Sequence, residues 1–335
     1  MSGLVPPPYT LTQANLLNAA FTLGYVGPLY MSQYTRPSSS ITRFRDGWRN
    51  DPSVIKVRLL FVSISTVLSC VAIHWVVSQE GKRDDGDFTV PLNYIISSRP
   101  QARLSMTVQY MGLTMNSQHL LACLVTPSLF LGPIYAHFLR GDLPFMSNWK
   151  LETHVYDKIS TWQGIRNFVF GPVTEELVWR SCVIAAYHLA RASRNQMIFL
   201  TPLSFGAGNA NTNPIAHLHH GFETFTRLGR NANAFKIALI STLFQFAYTT
   251  LFGFHCAFLF IRSGTVFVPM IAHVFCNIMG VPQLQQEVRQ HPGRASQIKI
   301  MYVLGIISYI YTMRHWTLNP ESIFWMSVTR PATAY

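Results

Sequence analysis

The first thing the chain is short of is charge. Only 12% of its 335 residues are Asp, Glu, Lys or Arg, against 49% hydrophobic residues. Average soluble domains carry about twice that charged share, so an ordinary water-soluble globule is a poor fit. There is no C-x-x-C pair among the five cysteines, Cys70, Cys123, Cys182, Cys256 and Cys276, and all five lie in apolar segments. A disulfide scaffold and a zinc ribbon are therefore not expected. No H-E-x-x-H occurs, which removes the commonest helical zinc-protease signature. The first 35 residues hold no Lys or Arg, so the basic region of a cleavable signal is missing, and insertion is expected to use the first spanning helix itself. Internal repeats, low-complexity tracts and a large soluble domain are absent too.

What is present is a series of long apolar runs. Leu11 to Met31 is the first, after Pro6-Pro7-Pro8. Leu59 to Gln79 contains 21 residues without a formal charge, enough at about 1.5 Å per residue to cross a hydrocarbon core of about 30 Å. Leu104 to Leu139 is uncharged but interrupted by Pro127 and Pro133. It reads as one span plus an interfacial stretch, or as two tight spans. Ile159 to Ala190, Asn195 to Phe222, Ile237 to Ile261, Ser263 to Gln286 and the shorter Ile300 to Met313 complete the set. The expectation is an all-α, polytopic membrane helix bundle of about seven or eight transmembrane helices. It forms a single integral membrane domain over 1–335, with a catalytic core at about 155–285. The stretch 140–158 reads as a loop. The net charge of +12 sits in short gaps between apolar runs. It reads as a topology signal and a contact with membrane lipid, with no nucleic-acid partner expected. The most basic short loop, Arg36 to Arg58, belongs on the cytoplasmic side by this rule.

Inside these apolar runs lie a few polar residues whose burial is costly. Glu175, Glu176 and Arg180 follow Phe168-Val169-Phe170 and precede Cys182-Val183-Ile184. Glu176 and Arg180 are four apart and share a helical face, so they can pair. Glu175 is turned by about 100° from Glu176. A carboxylate in apolar surroundings holds protons more tightly and suits a general base. A second cluster, His217, His219 and His220, follows Asn213-Pro214, an N-cap and first-turn proline pattern. Three imidazoles are also metal ligands, which keeps a zinc protease open as a rival. A third cluster pairs His273 and Asn277 at i and i+4, two donors on one face that could hold an oxyanion or simply glue helices together. A base, a histidine and a donor pair suffice for amide hydrolysis without a nucleophilic serine or cysteine.

Taken together, Glu175-Glu176-x-x-x-Arg180, a histidine-bearing segment, and His273-x-x-x-Asn277 resemble the type II CaaX prenyl endopeptidases. These are endoplasmic reticulum enzymes within the glutamate-dependent intramembrane proteases. The motif-level resemblance covers roughly 155–285. It implies that a prenylated CaaX protein or peptide loses its last three residues. Glu175 and His217 would activate water, His273 and Asn277 would stabilise the oxyanion, and Glu176 and Arg180 would support the site, with no metal and no cofactor. It also implies a multi-pass endoplasmic reticulum protein whose active site is accessible from the cytosol. The chain departs from the family's Phe-Gly-x-Ala-His motif. Between Phe205-Gly206 and Ile215-Ala216-His217 stand eight extra polar, glycine-rich residues, 207–214. Two other readings remain: a related membrane protease acting on unprenylated peptides, and an ion-coupled transporter using the intramembrane charges.

Overall fold

The computed structural model describes residues 9–31, 50–83, 100–203 and 231–326. Everything regular in them is helical, and no strand occurs among the described residues. Helix α1 spans Leu11–Met31 and α2 spans Pro52–Arg83. A short α3, Pro100–Tyr110, follows. The Leu104–Leu139 run is broken near its prolines into α4 (Ser117–Leu129) and α5 (Leu131–Arg140), bent by 72°. Helix α6 is continuous over 162–189, and α7 is Arg194–Phe199. After it come α8 (Ala232–Ser263), α9 (Phe267–Met279), α10 (Leu284–Gln290) and α11 (Ala295–His315).

Several segments differ from the sequence reading for simple reasons. The run Ser263 to Gln286 divides at Gly280-Val281-Pro282, where Gly280 takes φ 67° and α9 and α10 meet at 48°. Lys299 and Arg314 cut the apolar run Ile300–Met313 short on paper, yet α11 continues through both over 21 residues, since charges at helix ends leave the backbone ladder intact. The stretch 140–158, expected to be a loop, ends in a helical turn, Glu152–Tyr156, that runs into Asp157–Ile159.

The exterior is apolar. Leu60, Val67, Leu68 and Trp75 on α2, Ile240 and Phe244 on α8, and Ile307 and Ile310 on α11 are all exposed. Patches of this extent signal contact with something other than water, and helices that satisfy their own backbone groups are what lipid tolerates. Among the described residues, Pro52–Gln79 and Ala232–Ser263 are long and apolar enough to cross a membrane. Counting each bent pair as one span gives up to four.

Helix α6 is the buried centre. Val178, Cys182, Val183, Ile184, Ala185 and Ala186 have no exposed surface. Helix α1 lies along it: Tyr25 hydroxyl and Thr174 Oγ1 are 2.9 Å apart, the Tyr25 ring meets Trp179 edge-on at 4.7 Å, and Tyr187 donates to Asn15 Oδ1. On the other side, Ser181 donates to the Met111 carbonyl at 2.6 Å, and the next residue's carbonyl, Gly112, accepts from Val266 N at 2.9 Å. Gly112 takes φ 63°, and a Cβ there would stand 2.7 Å from the Phe260 ring, so the junction of α6 with the α8–α9 turn requires glycine.

Candidate active site

The chain's acidic stretch sits where α6 departs from regular α-helix. Arg166–Phe170 and Leu177–Val183 are π-helical, flanking the α-helical Gly171–Glu176. π-Helical turns are rare and concentrate at functional sites, since each extra residue re-aims the side chains beyond it. Pro172 lacks an N–H, and Thr174 donates its hydroxyl to the Phe170 carbonyl at 2.6 Å, so this turn is stitched locally as well as to Tyr25.

Four charged or titratable groups meet here. Glu176 is fully buried and has two partners. Its Oε2 lies 3.0 Å from Arg180 Nε, an ion pair aligned outside hydrogen-bond geometry, and its Oε1 accepts from His273 Nδ1 at 2.8 Å. Glu175, on the next position of the helix, points elsewhere. Its side chain is 17% exposed, and its Oε2 stands 3.8 Å from His273 Nε2. One imidazole thus lies between two carboxylates of consecutive residues, held at one nitrogen and approached at the other. Phe252 of α8 meets the His273 ring edge-on at 5.1 Å and closes that side.

Asn277 lies one turn beyond His273 on α9 and is exposed. Its Nδ2 donates to the Asn167 carbonyl at 2.7 Å, joining α9 to the π-helical entry of α6. A primary amide has two N–H groups, so this anchor engages only one of Asn277's donors. At the same entry, Arg166 donates to Asn167 Oδ1 at 2.9 Å and to Asn50 Oδ1 at 3.4 Å, and the Lys56 ammonium sits 4.7 Å over the Trp162 ring.

The structure therefore brings together Glu175, Glu176, Arg180 and His273 and sets Asn277 one turn away. His217, with His219, His220 and the 207–214 insertion, lies outside the described residues. No three His, Cys, Asp or Glu side chains converge as a metal-binding group among the described residues. The sequence reading missed three anchors. Asn167 acts through its backbone carbonyl, and Tyr25 and Thr174 fix the acidic turn from α1. No motif marked Tyr25, but Thr174 directly before Glu175 was a visible polar residue in an apolar run.

Residues 157–279 match a family model described as type II CAAX prenyl endopeptidase Rce1-like. A probable CAAX prenyl protease 2 from Schizosaccharomyces pombe is 28% identical over 305 residues, covering 91% of this chain and 93% of the relative. The CAAX prenyl protease 2 of Arabidopsis thaliana is 43% identical over 155 residues, 46% of this chain and 44% of its own length. That of Saccharomyces cerevisiae is 28% identical over 317 residues, 88% of this chain and 92% of its own. No solved structure gives a significant match. An all-helical body with an apolar exterior and these relatives define a membrane protease. More narrowly, the family model and these relatives support a type II CAAX prenyl endopeptidase.

Proposed function

We propose that the enzyme removes the last three residues, aaX, from prenylated CaaX proteins, with Glu175 as the catalytic carboxylate. One observation carries this reading: of two adjacent glutamates, Glu176 is fully buried between Arg180 and His273, while Glu175 is partly exposed with its Oε2 3.8 Å from His273 Nε2. Glu175 takes a proton from water, assisted by His217, as the water oxygen attacks the carbonyl of the prenylated cysteine. The tetrahedral oxyanion accepts from His273 Nε2 and from an Asn277 N–H. His273 Nε2 can donate there when the ring carries both protons, because Nδ1–H is already given to Glu176. The C–N bond then breaks, and the proton held by Glu175 passes to the leaving amine of the aaX peptide.

The remaining parts of this reading are the membrane arrangement and the cell compartment. The catalytic core is residues 155–285 within one integral membrane domain, 1–335, of about seven or eight spans. The enzyme resides in the endoplasmic reticulum membrane with its site open to the cytosol. The contacts of Asn50 and Lys56, at the described end of the basic stretch, with Gln163, Arg166 and Trp162 support that orientation, because they set these residues beside the entry of α6. A prenyl chain partitions into lipid and so delivers the peptide sideways to this depth. The test is cleavage of a farnesylated CaaX peptide and its unprenylated twin by membranes carrying the enzyme. Release of aaX from the farnesylated peptide alone supports the reading; equal cleavage of both would replace it with a general membrane protease.

A further inference from the structure

Helix α6 carries the chain roughly 40 Å away from its entry at Trp162. At that far end, positive charge gathers without an ion pair. We propose that Arg194, Arg262 and Arg314 bind the phosphate of an anionic membrane phospholipid there. Arg194 belongs to α7, while Arg262 and Arg314 stand in the last turns of α8 and α11. Two of them share one tryptophan of the C-terminal tail. The Arg194 guanidinium stands 4.6 Å over the Trp325 ring and the Arg262 guanidinium 4.9 Å over it, with the Phe258 ring 5.6 Å from Arg262. The third is tied to this pair, because Arg262 donates to the Arg314 carbonyl. The tail that supplies the tryptophan is itself pinned. Asn319 N donates to the Arg262 carbonyl at 3.1 Å, the Ser322 hydroxyl donates to the Ile261 carbonyl at 2.6 Å, and Phe324 is fully buried. Three helices and the tail thus hold the cations in place before any anion arrives.

Arg180 and Arg140 show the usual arrangement, each facing a carboxylate at 3.0 Å. None of the three far-end arginines enters an ion pair among the described residues, and Glu321, the acidic residue of the tail, pairs with none of them. Arg262 gives one of its five N–H groups to Arg314, and its Nε is buried without an acceptor. An arginine stacked on a ring keeps the N–H groups of its rim for other acceptors, and phosphate matches that fork. Like charges held together repel, and an anion among them removes the repulsion. The surroundings say which phosphate. Leu251 of α8 and Ile307 and Ile310 of α11 are 64%, 58% and 62% exposed, and this apolar surface leads along both helices toward Arg262 and Arg314. Tyr311 and Leu318 are exposed beside it. Aromatic rings mark the level where lipid tails give way to head groups, so the arginines stand at head-group depth. A choline head group brings a further cation to a place that already holds three, whereas phosphatidylglycerol brings a net negative charge.

The experiment measures binding to the purified full chain in uncharged detergent, without any turnover, so its outcome is separate from that of the endopeptidase reading. The probes are dioctanoyl phosphatidylglycerol, dioctanoyl phosphatidylcholine and glycerol phosphate. The wild type is expected to bind phosphatidylglycerol about tenfold or more tightly than either of the others. Arg194→Gln/Arg262→Gln is expected to weaken phosphatidylglycerol about tenfold or more, the scale of lost charge-assisted hydrogen bonds. Arg289→Gln/Lys299→Gln removes the same charge from exposed positions near the opposite end of α11 and should stay within about twofold of wild type. An equal loss in that control would mean general attraction to a basic protein and overturns the proposal. Equal affinity for the two lipids overturns it, and so does glycerol phosphate binding as tightly as phosphatidylglycerol, which would mark a site for free phosphate. Should the double variant lose its helix content, Arg194→Gln decides. Its arginine gives up only the Trp325 ring contact, it should weaken phosphatidylglycerol about threefold or more, and unchanged affinity overturns the proposal.

Discussion

Two histidines on neighbouring helices, His255 of α8 and His273 of α9, are separated by the ring of Phe252, which lies 6.4 Å from one and 5.1 Å from the other. Their surroundings are opposite in kind. His255 meets Thr126 Oγ1 at 2.8 Å through Nε2 and Tyr309 hydroxyl at 2.9 Å through Nδ1. Hydroxyls donate or accept as required, so a neutral ring is satisfied at both nitrogens with no charge to balance. That arrangement ties α4, α8 and α11 together as interhelical glue. His273 instead lies between two carboxylates, one of them already engaged by Arg180. Charges in an apolar bundle are costly and are kept where they do chemistry. Burial of a histidine says little by itself; the nature and the exposure of its partners separate a working centre from a structural one.

The largest expected effect falls on Glu175. Glu175→Gln keeps shape and hydrogen-bonding capacity but not the proton-accepting charge, and kcat should drop about 10²- to 10⁴-fold with helix content unchanged by circular dichroism. His217→Ala should lose activity on the same scale, read in the same assay. Asn277→Ala should cost about 10²- to 10³-fold in kcat with little change in KM, read from initial rates on a prenylated peptide. Glu176→Ala should act differently. It leaves the buried Arg180 without its carboxylate, at a cost of about 3–5 kcal/mol, so a fall in thermal unfolding temperature in lipid nanodiscs should accompany any loss of rate. Across Phe252, His255→Phe should be the mildest. It leaves Thr126 and Tyr309 to find other partners at a cost of about 1–3 kcal/mol, while the folded fraction cleaves within a few-fold of wild type. If His255→Phe silenced the enzyme without destabilising it, the division between the two histidines would be wrong.

How much of this was legible in the sequence depends on range. The apolar runs announced α1, α2 and α8 because a membrane demands length and composition, both of which are written locally. The Glu176–Arg180 pair was legible from i,i+4 spacing. The long-range pairing was not. Spacing placed His273 and Asn277 on one face of one helix, but not that His273 would give Nδ1 to Glu176 or that Asn277 would hold the Asn167 carbonyl. Nor could a helical wheel drawn at 3.6 residues per turn locate side chains on α6, because its two π-helical segments shift the register on either side of Gly171–Glu176. Tyr25 was invisible for a third reason: its hydroxyl meets Thr174 across 149 positions of chain, and nothing in the flanking residues of α1 distinguishes it from any other interfacial tyrosine.

In the proposed mechanism Glu175 is the carboxylate that reacts and Glu176 the one that holds. The most direct test is the initial rate of aaX release from a farnesylated CaaX peptide by membranes containing equal amounts of folded wild type and Glu175→Gln. A loss of about 10²-fold or more in kcat, with the unfolding temperature unmoved, is the predicted result. Full activity in Glu175→Gln would contradict it.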